Sequence, residues 1–223
     1  MQVRLIAKTS GASEGLSGKS LGEIIAYVAR VSNPGNQAND LTASKLLTYC
    51  LREGHVSVFE TCSLTLEIDT SLAIATQILR HRSFTFQQFS LRYSESSMGY
   101  EPSKARRQDA KNRQNSIDDL DEDIVETFNR YQEVVWNTAH GLYLDALNRG
   151  VAKEVGRMLL PQNTKTRLYM TGSVRSWIHY CVSRCARGVQ KEHKDIAEEA
   201  LRILLQEVPE LSDYFDTLRK ENE

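Results

Sequence analysis

From Arg80 to Ser94 the chain reads Arg-His-Arg-Ser-Phe-Thr-Phe-Gln-Gln-Phe-Ser-Leu-Arg-Tyr-Ser, a run of three guanidiniums, one imidazole, two amides and several hydroxyls. A solvated helix face usually intersperses carboxylates about four residues from its cations, and none occurs here before Glu95. Arginine offers planar paired donors that match phosphate oxygens, so an unneutralised set of them reads as an anion site. A second basic stretch lies farther on: residues 151–188 hold seven Lys or Arg against one acid, Glu154. The net charge of the whole chain is only −1, so its remainder is acidic. If the two basic stretches meet in space, they suit a small phosphorylated ligand better than a general nucleic-acid surface.

The elements that must carry these side chains follow from periodicity. Val3, Leu5 and Ala7 alternate as a strand, and Leu21, Ile24, Ile25, Val28 and Val31 follow helical spacing until Asn33-Pro34-Gly35. A short helix through Leu46, Leu47, Cys50 and Leu51 is predicted to end at Gly54. Cys62, Leu64, Leu66 and Ile68 alternate as a half-buried strand, and residues 71–80 are predicted to be a helix delivering the chain to Arg80. Residues 101–115 are polar, basic and aperiodic, and read as a mobile surface loop. A long helix is predicted from Ser116 to about Asn148, with apolar positions at Ile117, Leu120, Ile124, Phe128, Tyr131, Val135, Leu142 and Leu147. A short helix over 151–160 stops at Pro161, a strand covers 165–171, and two final helices are predicted over about 173–186 and 189–206.

With 223 residues, 40% of them hydrophobic, the chain predicts one α/β domain with much helix. No apolar run approaches the roughly 20 residues that span a bilayer. The N-terminal sequence lacks the pattern of a secretory signal, so a soluble cytoplasmic protein is expected. Cys50, Cys62, Cys181 and Cys185 form no CxxC pair, and buried reduced thiols are expected rather than a metal site or disulfides.

The spacing from Arg80-His81-Arg82 to Ser90 and then Arg92-Tyr93-Ser94 resembles the signature of the flavin-dependent thymidylate synthases, the ThyX family. Other segments fall in that family's order: Gly54-His55-x-Ser57-x-Phe59-Glu60, Gln77, Glu154-x-x-Arg157-x-x-Leu160-Pro161, Arg175-Ser176-x-x-x-His179, Arg184, and Gln190-x-Glu192. The similarity covers roughly residues 1–100 and 145–218. Thr85, Gln87 and Gln88 stand where the family often has Ser, Asn and Glu, and Ser173 replaces a frequent Asn. Gln88 therefore removes a carboxylate.

The resemblance implies an α+β fold, with an antiparallel or mixed sheet and long flanking helices. It implies reductive methylation of dUMP to dTMP, with methylene-tetrahydrofolate as carbon donor and hydride from NADPH carried by FAD. His55, Ser57, Arg80, His81, Arg82, Arg175, His179 and Gln190 become FAD candidates. Gln77, Gln88, Ser90, Arg92, Arg157 and Arg184 become dUMP candidates. Arg184 would answer the negative charge that develops on the uracil ring. Ser90 would position the nucleotide, since a serine hydroxyl without a committed base is a weak nucleophile. A homotetramer with sites between subunits is implied as well. Two other readings stay open at this point. One is a non-catalytic nucleotide- or nucleic-acid-binding module, stacking on Tyr93, Tyr100 and Trp177. The other is a degenerate relative that keeps only the flavin.

Overall fold

Leu64, Leu66 and Ile68 are each at most 1% exposed, so the alternation along this strand buries one of its faces completely. The computed structural model describes residues 1–222, and in it this strand is central. The strands are β1 (Gln2–Lys8), β2 (Ser63–Ser71), β3 (Thr85–Gln88), a hairpin of β4 (Arg107–Gln108) and β5 (Ser116–Ile117), and β6 (Lys165–Ser173). The main sheet runs β1–β2–β6–β3, and all its pairs are antiparallel. Leu66 lies opposite Met170, Ile68 opposite Leu168, and Phe86 flanks Met170 from the other side.

That face joins one core with α1 (Leu21–Ala29), α2 (Ala43–Arg52), α3 (Leu72–Ile78), α6 (Val174–Arg184) and α7 (Lys191–Glu207). The other face is a polar lattice. Arg167 donates twice to Asp69, at 2.7 and 2.8 Å, and the Tyr169 hydroxyl donates to Glu67 at 2.8 Å. The helices start where the sequence offers caps. Ser20 forms a full capping box on α1, while Ser71 and Ser173 accept from Ile74 and Ser176 amides on α3 and α6. Each such cap is worth about 1 kcal/mol.

Several expectations are corrected. The long helix α4 spans Glu122–Asn148, beginning six residues after Ser116, because Ser116 and Ile117 pair with Gln108 and Arg107 instead. Its apolar stripe does not face the core: Ile124, Phe128, Tyr131, Val135 and Leu142 are 38–58% exposed, while Gln132, Trp136 and Tyr143 turn inward. Residues 101–115 are not featureless. Asp109 accepts from the Lys111 and Asn112 amides, and the segment closes through β4 and β5. The stretch 151–160 is α5 (Lys153–Gly156) followed by a 3-10 turn over Arg157–Leu159. β3 and a last helix, α8 (Ser212–Asn222), were not anticipated.

Candidate active site

The Arg-His-Arg run leaves α3 and is anchored by Phe84. A methyl group on Gly172 would come within 2.4 Å of the Phe84 ring, so only glycine lets that ring settle on β6. Phe84 then meets Trp177 edge-on, with centroids 4.8 Å apart. With Phe84 fixed, His81 folds back onto Tyr180 at 5.0 Å, and its Nε2 accepts from Nε of Arg184 at 2.9 Å. The two basic stretches of the sequence therefore meet.

An imidazole that accepts at Nε2 carries its proton on Nδ1 and is neutral. Burial, followed by the charges of Arg184, His179 and Arg80, lowers the His81 pKa to about 4. His193 lies 6.0 Å from His81 between centroids, and burial, then Arg184 and His81, lowers it to about 4 as well. Both groups start from 6.5 when free. Between these values the unfolded chain binds protons that the folded chain refuses, so stability must fall as pH drops from 6.5 toward 4. The urea midpoint is therefore expected to be lower at about pH 5 than at about pH 7, and His193→Phe should shrink the difference. An equal difference in that variant would remove His193 from the account.

Arg80, Arg82, Arg157 and Arg184 have no carboxylate partner among the described residues. Arg4, Arg106, Arg107, Arg167 and Arg202, by contrast, are all ion-paired. Arg80 and Arg82 are also exposed. Unpaired Arg80 and Arg82 on either side of His81 in the chain, with Arg184 bonded to its ring, are what an anionic ligand requires.

Arg175 and His179 stand one turn apart on the exposed face of α6 and line a cleft of about 520 Å³ with Glu60 and Ser83. Its remaining wall is largely apolar, from Val56, Phe59 and Ile178. Arg175 donates to Glu60 at 2.9 Å. The Ser173 hydroxyl first, and Arg175 second, hold the Glu60 carboxyl below its usual range against the effect of burial. His55 and Ser57 are exposed near this region but do not line the cleft. Gly54, at φ 74°, ends α2, and the His55 amide reaches back to the Cys50 carbonyl at 2.7 Å, which fixes where the His55 ring begins.

A third group sits around α5. Glu154 does not pair with Arg157, as its i, i+3 spacing allowed; it takes Arg92 at 3.0 Å, while Arg157 Nε donates to the Glu154 backbone carbonyl at 3.2 Å. Ser90 is exposed, and its carbonyl accepts from the Tyr93 and Ser94 amides. Gln88 donates to Thr166 Oγ1 at 3.2 Å. Among the described residues no hydrogen bond or ion pair joins Ser90, Arg92 or Arg157 to His81 or Arg184. The lone pair of His81 that could serve Ser90 as a base is already filled by Arg184.

Gln77 and Gln190, assigned from sequence to different ligands, are bonded to each other at 2.6 Å. Sequence reasoning missed the partners behind them, His193 and Arg106. The signal available was the spacing of Gln190 and His193, one turn apart at the start of α7.

Among the described residues no helix is long and apolar enough to cross a membrane. The family described as "Thymidylate synthase complementing protein" matches residues 19–210. A Synechocystis protein named "Flavin-dependent thymidylate synthase" is 56% identical over 186 residues, covering 83% of this chain and 85% of that protein. A "Probable flavin-dependent thymidylate synthase" of Paramecium bursaria Chlorella virus 1 is 46% identical over 216 residues, 97% of this chain and 99% of the viral one. In fold, the chain is similar to a UMP/dUMP methylase, PolB from Streptomyces cacaoi, crystallised with 5-Br dUMP. The TM-score is 0.83 at 24% identity, with 97% of this chain and 94% of that one covered.

Proposed function

The chain belongs to the flavin-dependent thymidylate synthase family, and from that premise we propose how its residues divide the reductive methylation of dUMP to dTMP. FAD, when bound, supplies the hydride that completes the methyl group, with NADPH as its reductant and methylene-tetrahydrofolate as the carbon donor. The residues present fit such a cofactor. The cleft beside Arg175 and His179 offers an apolar wall and a polar rim on which Arg175 is paired with Glu60, and Arg80 and Arg82 are exposed guanidiniums free for phosphate. His55, Ser57, His81 and Gln190 complete this set. The Arg184–His81 contact carries the reading, because it joins both basic stretches next to Arg80 and Arg82, which no carboxylate neutralises among the described residues.

dUMP is held by Gln77, Gln88, Ser90, Arg92, Arg157 and Arg184. Arg184 has one N–H committed to His81 and directs the rest at the uracil ring, where negative charge gathers. Ser90 holds the nucleotide rather than attacking it, since among the described residues no base is bonded to its hydroxyl and His81 Nε2 is taken by Arg184. Arg92 is bonded to Glu154 of α5 and Arg157 follows on the next turn, while Arg184 is bonded to His81; a second subunit would complete the site by joining these two groups. The exposed apolar stripe of α4 supports a homotetramer that brings the halves together. A cytoplasmic location accords with four free cysteines, three of them buried.

The test is optical and then chemical. The purified protein is expected to be yellow, to bleach under anaerobic NADPH, and to regain its absorbance when methylene-tetrahydrofolate and dUMP are added. Tritium should leave C5 of labelled dUMP in the same mixture. A colourless protein that binds DNA with a steep salt dependence would reject the assignment of these residues to flavin. A yellow protein that releases no tritium would reject the assignment of the chemistry.

A further inference from the structure

We propose that His193 is a positioning residue, which fixes the amide of Gln77 for the nucleotide through a hydrogen-bonded chain whose direction is set by the partly buried Arg106–Glu192 ion pair. The inference rests on Gln77 being a dUMP contact, as argued above.

The direction follows from which atoms can donate. Glu192 is 6% exposed, and an ionised carboxylate only accepts. Its Oε1 takes Nη2 of Arg106 at 2.6 Å, and its Oε2 takes Nε2 of Gln190 at 3.0 Å. With its NH₂ committed to Glu192, Gln190 presents its oxygen to Gln77 at 2.6 Å. Facing an acceptor, Gln77 must offer its own NH₂ there, which turns its Oε1 toward His193 Nδ1 at 3.3 Å. That nitrogen must therefore carry the proton. His193 is left as the neutral Nδ1–H tautomer, and its Nε2 is buried without a partner.

Three of the five members come from the first turn of α7 or its cap, one from α3, and Arg106 from the arm leading into β4. The His193 backbone amide is bonded to the Gln190 carbonyl at 3.0 Å, so the histidine cannot drift away from the glutamine it helps to orient. Burial of the Glu192 carboxylate raises its pKa most, but Arg106, its own backbone amide and Gln190 together outweigh this and keep it ionised. An ionised Glu192 is the condition for the whole direction, since a protonated one could donate and reverse it. Gln77 keeps one N–H and one lone pair for a ligand. A uracil edge alternates acceptor and donor, so an amide locked one way pairs with it, and a freely rotating amide spends part of its time mismatched.

The test compares His193→Phe, which keeps an aromatic ring against Tyr180 and His81 but removes the donor, with His193→Asn, whose amide N–H can replace Nδ1–H. In His193→Phe the KM for dUMP should rise about tenfold, the factor that one hydrogen bond carries, with kcat and bound flavin per chain unchanged. His193→Asn should recover most of that loss. A His193→Phe enzyme with the native KM, or one in which Phe and Asn lower kcat alike, would overturn the proposal. Should His193→Phe not fold, Glu192→Gln takes its place. It frees the direction of the chain and should raise the same KM; an unchanged KM rejects the inference. dUMP titration of the native protein, followed by its flavin spectrum, separates the two levels. No response there sinks the reading of Gln77 itself, whereas a native response with an indifferent His193 variant sinks only this proposal.

Discussion

An Arg184→Ala enzyme is expected to turn over dUMP about a hundredfold to a thousandfold more slowly than the native chain, the loss that follows removal of one preorganised donor to developing negative charge. Arg184 is half-buried, pairs with no carboxylate, and spends a single N–H on His81 at 2.9 Å. Its charge is thus undiminished by a partner, and its fork is oriented before any ligand arrives. Flavin retention should be largely preserved, because Arg175, His179 and the cleft they line do not contact Arg184. Arg184→Lys keeps the charge but loses the planar fork and the Nε–H to His81, so it should recover only a minor part of the activity. The competing account makes Arg184 a structural tie for His81. In that account both variants lose thermal stability in proportion to activity, and a mutant enzyme with native stability and negligible kcat rules it out.

The acid side of the same site is set by two histidines rather than one. His81 accepts from Arg184, and His193 sits against His81, so a proton on either imidazole would stand beside the guanidinium. Burial lowers both pKa values first, and the charge of Arg184 lowers them further. Neutral rings leave the positive charge of that cluster to its guanidiniums, with Arg184 bonded directly to His81.

Sequence periodicity located β2 and β6 because both bury one face against helices, and Leu64, Leu66, Leu168 and Met170 report that burial directly. The caps at Ser20, Ser71 and Ser173 are local too, each hydroxyl accepting from the amide three residues on. β3 was hidden, being four residues long and mixing Phe86 with three polar side chains. The hairpin of β4 and β5 could not be read from its own composition. It is held from outside by Arg106 on Glu192, 86 residues away, and from within by Gln108, whose amide reaches the carbonyls of Asn112 and Asn115. His193 escaped notice because a single histidine in the first turn of a charged helix reads as solvated, and only the packing of α7 on α6 and α3 buries it. In α4 the apolar period is real, but most of its large side chains lie exposed on this chain. Periodicity shows that a stripe exists and is silent on whether this chain or another covers it.

That stripe supports the second large prediction. Val135 and Leu142 are 51% and 56% exposed, so replacing both with glutamate should leave the fold of an isolated chain nearly intact. In an assembled protein the same positions would be enclosed together with Ile124, Phe128 and Tyr131, and α5 and its following turn add exposed Val155, Met158 and Leu159. Each large apolar side chain buried there contributes roughly 1.5–3 kcal/mol. Each unpaired carboxylate forced into the interface costs several kcal/mol more. The Val135→Glu, Leu142→Glu protein is therefore expected to sediment as a monomer while the native chain sediments as a tetramer, with matching circular dichroism. On the proposed reading, in which a second chain brings Arg92 and Arg157 to Arg184, dissociation should also abolish dUMP turnover and release the flavin. A double variant that stays tetrameric and yellow would mean that α4 faces solvent in the working enzyme. The separated arginines would then have to come together by another surface.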